Sequence, residues 1–307
     1  MSSPTSTLRD LRPSSPRMST VRKVLIIIAA AAVTIGMFSP AEAARKKFSV
    51  SGYSDNRKMD LDSSTGGNRT TTIKGKVKGA KVKGKKVSFY ATNTHTAAQK
   101  RKYIGSAKLD KKGRFSKKFK PSEGGSYRIE IIKKAGSGRA AGSKTIIAHA
   151  YEWPILSHFY DAAASNPDPA RPLVTRADKE QTGNGRDASG RWSTSYAIQG
   201  TGAAVFATGG YNCWRFNLKL AVSQSSPAST GTFRISQGSK VLAVKTMSKG
   251  DAYWEPSRSL SERFDANQPF VVSVSPEAGA ADATAVRFIL GNPKASCTYP
   301  SKSAAYR

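Results

Sequence analysis

Three histidines and two cysteines are all the imidazole and thiol groups that this 307-residue chain offers for a zinc site. His95, His149 and His158 are scattered, and Cys213 and Cys297 lack CxxC spacing, so no Cys/His zinc site is expected. There is no GxSxG elbow, no HExxH and no phosphate-cradling P-loop. A pair of carboxylates meeting in space is the one catalytic arrangement that composition leaves open. The chain therefore reads as noncatalytic, with neither a cofactor nor a metal expected. Long helical periods are missing as well, which excludes a helical class. So is any apolar run of the roughly 20 residues that a bilayer crossing requires.

The longest uncharged run, VLIIIAAAAVTIGMF, follows Arg22 and Lys23 and precedes SPAEA, with small residues at Ala41 and Ala43. This order of basic, apolar and small residues is that of a secretory signal peptide over 1–43, with cleavage expected between Ala43 and Ala44. An uncleaved anchor is the competing reading. The preceding segment is unlike an ordinary n-region, so translation from Met18 is the alternative start. Export implies an oxidising compartment, where Cys213 and Cys297 are expected to pair. Closing so long a loop would stabilise the fold by about 4 kcal/mol in the chain-entropy model.

Acidic residues are scarce in one half only. Residues 44–150 hold 28 basic and 6 acidic residues, whereas 151–307 hold 17 and 12. The charge asymmetry and a shift to Ser/Ala/Asn-rich composition around YEWP place a domain boundary near 150.

Residues 44–69 lack a sustained apolar period and read as a flexible leader. From Thr70 the period is two: Ile73 and Val77, Val87 and Phe89, Tyr103, Ala107 and Leu109, Phe115 and Phe119, Tyr127, Ile129 and Ile131, then Ile146 and Ala148. Repeated every eight to twelve residues between turn signals, this predicts an antiparallel sandwich over 70–150. LDKKGRF predicts a hairpin, with Gly113 at positive φ.

In KGKVKGAKVKGKKV, a strand would place Lys74, Lys76 and Lys78 on one solvent face, and Lys81, Lys83 and Lys85 would repeat the row around Val82. Lysines that protect an edge strand account for two or three such charges. A net +22 over one domain costs stability by self-repulsion, and it points to a polyanionic partner outside the cell. TTIKGKV, GKKVSFYA and IGSAKLDKKGRFSKKFKPSEGGSYRIEI resemble the bacterial immunoglobulin-like modules of exported surface proteins. The resemblance implies a presenting or spacer role.

From 151 onward, WSTSYAIQG, AAVFATGG, CWRFNLKLAVS, GTFRISQ, KVLAVKTM, PFVVSVSP and AVRFILGN read as strands. The second half is therefore all-β too. RWSTSYAIQG with Trp192 and Tyr196, VFATGGY with Phe206, and CWRFNLKL with TGTFRISQGSKVLAVKTMSKG resemble the galactose-binding-like jelly rolls of the novel carbohydrate-binding module group. The resemblance implies a noncatalytic, glycan-binding jelly roll over 151–307. AVRFILGNPKASC departs from the group's last strand, and Cys297 is expected to pin that strand to the strand of Cys213. A glycan site needs aromatic faces and converging polar groups. DAYWEPSRSLSERF, with Tyr253, Trp254, Arg258 and Arg263, is the best loop for one, although Trp254 reads equally as a core residue. Trp192, Tyr196, Phe206, Trp214 and Phe233 read as core. Asp161, Asp168, Asp178 and Asp187 have no calcium-loop spacing.

The expectation is an exported, cell-wall-associated binding protein. Its C-terminal domain takes a glycan and its basic domain an anionic envelope polymer. The alternatives are a nonspecific extracellular nucleic-acid binder and a surface or adhesin component with a protein partner.

Overall fold

The computed structural model describes residues 45–62, 67–79, 81–176, 195–226, 230–256, 268–277 and 286–302. Ala43, Ala44, Trp192, Asp178, Asp187, Arg258 and Arg263 lie outside them. The fold is all-β, with sixteen strands among the described residues. No helix among them is long and apolar enough to cross a membrane.

Strands β1 (Ser49–Ser54), β3 (Thr71–Lys78) and β6 (Arg114–Phe119) form one antiparallel sheet in the order β1-β3-β6. The facing sheet has the order β2-β8-β7-β4-β5, built from β2 (Lys58–Asp60), β4 (Lys86–Asn93), β5 (Arg101–Lys108), β7 (Gly125–Lys133) and β8 (Gly142–Tyr151). β2 pairs with β8 in parallel, while β8-β7, β7-β4 and β4-β5 are antiparallel. Period-two alternation turns Ile73, Val77, Val87, Phe89, Phe115, Ile129 and Ile131 into one buried cluster between the sheets. Burying each large side chain contributes about 1.5–3 kcal/mol. The Phe89 and Phe115 rings meet edge to face across the two sheets, 5.5 Å apart.

Two expectations are corrected here. The described residues of the expected leader, 45–62 and 67–69, do not hang free: they supply β1 and β2 and bury Phe48 and Met59. Its apolar period is faint because β1 turns a glycine inward. Gly52 lies opposite Gly75 of β3, and a Cβ on either would meet Phe115 or Ile131. Those large rings and branches occupy the space that two side chains would otherwise fill. Tyr103 is the second correction. It is exposed, because a bulge makes Phe89 pair with Gly105 and Tyr90 with Tyr103, which reverses the facing of β5. Ile104 packs against the core instead.

The other strands are β9 (Val174–Arg176), β10 (Ser195–Gln199), β11 (Ala203–Phe206), β12 (Arg215–Val222), β13 (Thr230–Gln237), β14 (Lys240–Ser248), β15 (Phe270–Pro276) and β16 (Arg287–Ser296). They form two antiparallel sheets, ordered β12-β16-β10-β9 and β11-β15-β13-β14. The sheets pack face to face through Phe216 on Phe270 and Phe233 on Phe288, each pair 4.9 Å between ring centres. Tyr196, Phe206 and Phe233 are buried in this core.

Cys213 and Cys297 are disulfide-bonded. They flank the paired ends of β12 and β16, where Arg215 lies opposite Ser296. The bond thus pins the last strand to β12. It also lies in the seam between the two sheet pairs. Glu152 and Cys297 exchange both backbone hydrogen bonds at 2.9 Å, and Gly124 N–H donates to Glu152 Oε1 at 2.7 Å. Residues from Arg45 onward accordingly form one compact unit. Trp214, expected in the core, packs instead across the seam on Tyr151, with Lys58 and Arg215 over its ring.

A polar relay completes the seam. Asn212 N–H donates to Thr298 Oγ1, Asn212 Nδ2 donates to Ser126 Oγ, and Ser126 Oγ lies 2.9 Å from His149 Nδ1. Ser126 Oγ accepts from Asn212, which leaves its own hydrogen available to the Nδ1 of a neutral His149. Burial, reinforced by His95 and Lys58, holds the His149 pKa below its ordinary value. Protonation therefore favours unfolding. This part of the stability is present above about pH 6.5, the unfolded value, and is lost as the pH falls below it. His149→Asn keeps an acceptor for Ser126 and removes the titration. Urea melts should lose less stability between about pH 7 and pH 5 in the variant than in the parent; parallel losses would contradict the assignment.

Candidate functional site

Lys74, Lys76 and Lys78 do share the solvent face of β3, but β3 is the central strand of its sheet and not an edge. Edge protection therefore does not explain them. Arg114 of β6 lies opposite Lys76, and Lys118 opposite Thr72, so the row extends onto the neighbouring strand. Tyr53 of β1, opposite Lys74, adds an exposed ring. One carboxylate touches this face: Asp55 Oδ2 lies 3.5 Å from Lys74 Nζ. The N–H of Thr72, with the Thr71 hydroxyl, lowers the Asp55 pKa to about 2 and keeps it ionised.

The second lysine row is corrected. Lys81, Lys83 and Lys85 lie in a turn that carries the chain from β3 to β4 in the facing sheet, and not in a strand. Lys81 and Gly84 have φ of 52° and 73°, and Lys85 N–H bonds back to Val82 O. Alternate spacing cannot persist where the chain crosses between sheets. The three lysines are all exposed, while Val82 anchors the turn on the core.

This turn joins three other segments at one end of the sheet pair. The hairpin after β5 holds Lys111 and Lys112, with Gly113 at φ 72° as expected. Val77 N–H donates to Gly113 O, and Gly84 N–H to Leu109 O, which ties hairpin and turn together. The β7–β8 turn contributes Lys134 and Arg139. It is bonded through Ala140 to Lys46 and Phe48 of the chain segment before β1. Across 45–49, 78–86, 108–114 and 133–139 there are fifteen basic residues and one acid, Asp110. Asp110 is engaged inside its own turn, where it accepts from the N–H groups of Lys112 and Arg114. Lys133, buried here over the Phe48 ring, has its pKa lowered by burial and by Lys85. Like charges thus face one another with little to neutralise them.

Of the loop residues expected to contact a glycan, Tyr253 and Trp254 are described, and those two do not share a surface. Tyr253 packs on Ala197, Ala221 and Ile289, with Lys219 Nζ 4.1 Å from its ring. Trp254 pairs its backbone with Leu220 and packs against the main core. Consecutive residues in an extended segment point opposite ways, so these two rings cannot present one platform. Asp161 and Asp168 are turn caps, accepting from Ala164 and Ala170 N–H. Trp153, which served in sequence only as a boundary marker, lines a cavity at the seam. Its signal was an aromatic residue in turn-like YEWP.

No family profile matches the sequence, and no curated protein does. Among solved structures, the M60 catalytic domain with the CBM51-1 and CBM51-2 domains of ZmpB from Clostridium perfringens aligns with 74% of this chain, at 7% identity and TM-score 0.33. A protein from Corynebacterium diphtheriae described as membrane anchored aligns with 83% of it, at 12% identity and TM-score 0.30. The chain spans 33% and 52% of those two chains. Likeness of this degree bears on neither ligand nor site.

If the basic end stores repulsion, removing charge there stabilises the protein. The combined substitution Lys81→Gln, Lys83→Gln and Lys85→Gln should raise stability by about 0.5–1 kcal/mol at low salt, with the gain shrinking as salt screens the end. Thermal melts across a salt series check this; a loss of stability at low salt would refute it.

Proposed function

We propose that this chain is an exported, noncatalytic binding protein whose basic sheet pair holds an anionic polymer of the cell envelope while its C-terminal half recognises a glycan. The observation that carries the reading is the gathering of fifteen cations around a single, already engaged acid at one end of the first sheet pair. Each exposed contact with a polymer charge contributes at most about 1 kcal/mol. Affinity then comes from many contacts made together, and it falls steeply as salt rises. A repeating anionic chain suits such a surface better than a compact ligand. The predominance of lysine, a point charge without the planar fork of arginine, favours sequence-independent attraction over base reading.

The serine–histidine contact described in the seam fits a structural role. Ser126 is buried, and its hydroxyl is held between Asn212 and His149 as part of the packing. The glycan half of the reading rests on the sequence resemblance of the C-terminal strands to glycan-binding jelly rolls.

Retention of the full chain on isolated bacterial cell wall across a salt series tests the polymer reading, with duplex DNA as the phosphate comparison. The chain should be retained at low salt and released as salt rises. The variant lacking Lys81, Lys83, Lys85, Lys111 and Lys112 charge should elute at lower salt. Absence of retention at low salt would remove the polymer reading, and preference for DNA over wall would move it to nucleic acid.

A further inference from the structure

A second cavity in the seam gathers cations without an acid. It has a volume of about 260 Å³ and is lined by Arg57 and Lys58 where β2 begins, by His149 and Tyr151 of β8, and by Asn212 and Trp214 ahead of β12. Among the described residues no carboxylate lines it. Ligand pockets start at roughly 300 Å³, so this one suits a single small group.

The parallel pairing of β2 with β8 places these groups. His149 N–H donates to Arg57 O at 2.8 Å, and Lys58 lies beside His149 in the ladder. Lys58 Nζ is 4.8 Å from the centre of the Trp214 ring, and the Arg215 guanidinium 3.8 Å from it. The half-buried imidazole of His149 has its Nδ1 committed to Ser126, while Nε2 and the exposed Arg57 guanidinium meet no acceptor among the described residues. Two acids close in sequence are engaged elsewhere: Asp60 lies against Gly67 and accepts from Asp62 N–H, and Glu152 accepts from Gly124 N–H. The other titratable groups around the imidazole are His95, Tyr151 two residues along β8, and Arg128 two residues beyond Ser126 on β7. Positive charge therefore dominates this corner of the seam.

We infer that this cavity binds a phosphate group, with Arg57 and Lys58 supplying fixed charge and protonated His149 a third donor through Nε2. A phosphate has oxygens enough to accept from donors on both strands at once, whereas a carboxylate is matched by a single guanidinium fork. Burial, His95 and Lys58 all work against charge on His149. An anion at Nε2 offsets them, so binding and protonation are linked and affinity rises as the pH falls. The inference goes beyond the polymer reading and does not depend on it, since the lysine-rich turns lie at the opposite end of the first sheet pair.

The test follows the imidazole NMR signals of the three histidines in the full chain during titration with sodium phosphate and with dimethyl phosphate, against sodium chloride at matched ionic strength. His149→Asn assigns the signal. Phosphate should shift the His149 signal saturably at about pH 6, and at saturation the midpoint of its titration should rise by about one pH unit. Chloride should do neither. Arg57→Gln, a change at an exposed side chain, should weaken phosphate by about tenfold, the size of one charge-assisted contact. A response to dimethyl phosphate as well admits a phosphodiester within a chain; a response to phosphate alone restricts the site to free phosphate or a chain end. If His149 moves equally in chloride, or if Arg57→Gln binds phosphate as tightly as the parent, the inference falls. Anions held at the lysine-rich turns do not reach His149. Salt-dependent wall retention with an unresponsive His149 would thus overturn this inference alone, and a responsive His149 without wall retention would overturn the polymer reading alone.

Discussion

Like charge crowded onto one end of a β-sandwich is the constraint to which the rest of the structure answers. Two unit charges 4 Å apart repel by about 1 kcal/mol even in bulk water, and more where protein excludes water. The turns that carry Lys81, Lys83, Lys85, Lys111 and Lys112 therefore need a stiff frame. They have one in the Phe89–Phe115 contact, in the hydrogen bonds that join Gly84 to Leu109 and Val77 to Gly113, and in Asp110 closing its own hairpin. Lys133 shows the strain most directly, since burial and a neighbouring lysine both work against its charge. A surface under such repulsion gains when a polymer of opposite sign neutralises it, which connects the cost in stability to the capacity for binding.

The opposite end of the first sheet pair is built on different physics. Its contacts are specific pairings: the paired backbone of Glu152 and Cys297, the Asn212–Ser126–His149 relay, and the Trp214 ring with Lys58 and Arg215 over it. The disulfide makes this end durable by fixing the last strand to β12 just where that strand meets the first sheet pair. Charge and junction are thus kept apart along the first sheet pair, so a polymer could engage one end without straining the other.

Sequence made the β architecture legible because alternation marks buried faces directly. Ile73, Val77, Phe115, Ile129 and Ile131 are where period two places them, Cys213 and Cys297 pair as expected of two lone cysteines, and Gly113 has the positive φ its hairpin needs. The failures share a cause, which is that pattern carries no information about partners in space. β1 escaped notice because glycine stands where an apolar side chain would have marked the strand, and glycine is there only because Phe115 and Ile131 come from elsewhere. The facing of Tyr103 was reversed by a bulge opposite Phe89. Alternate lysines looked alike in strand and in turn, and an aromatic residue in a loop-like run looked alike whether it capped the core, as Trp254 does, or lined a cavity, as Trp153 does.

The central claim, that the basic end is strained in isolation and relieved by a polyanion, is tested most directly by thermal melting of the full chain with and without poly-L-glutamate. The account predicts a melting temperature higher by a few degrees in the presence of the polymer at low salt, since a ligand that binds only the folded state stabilises it, with the difference vanishing at high salt. An unchanged or lowered melting temperature at low salt would contradict it.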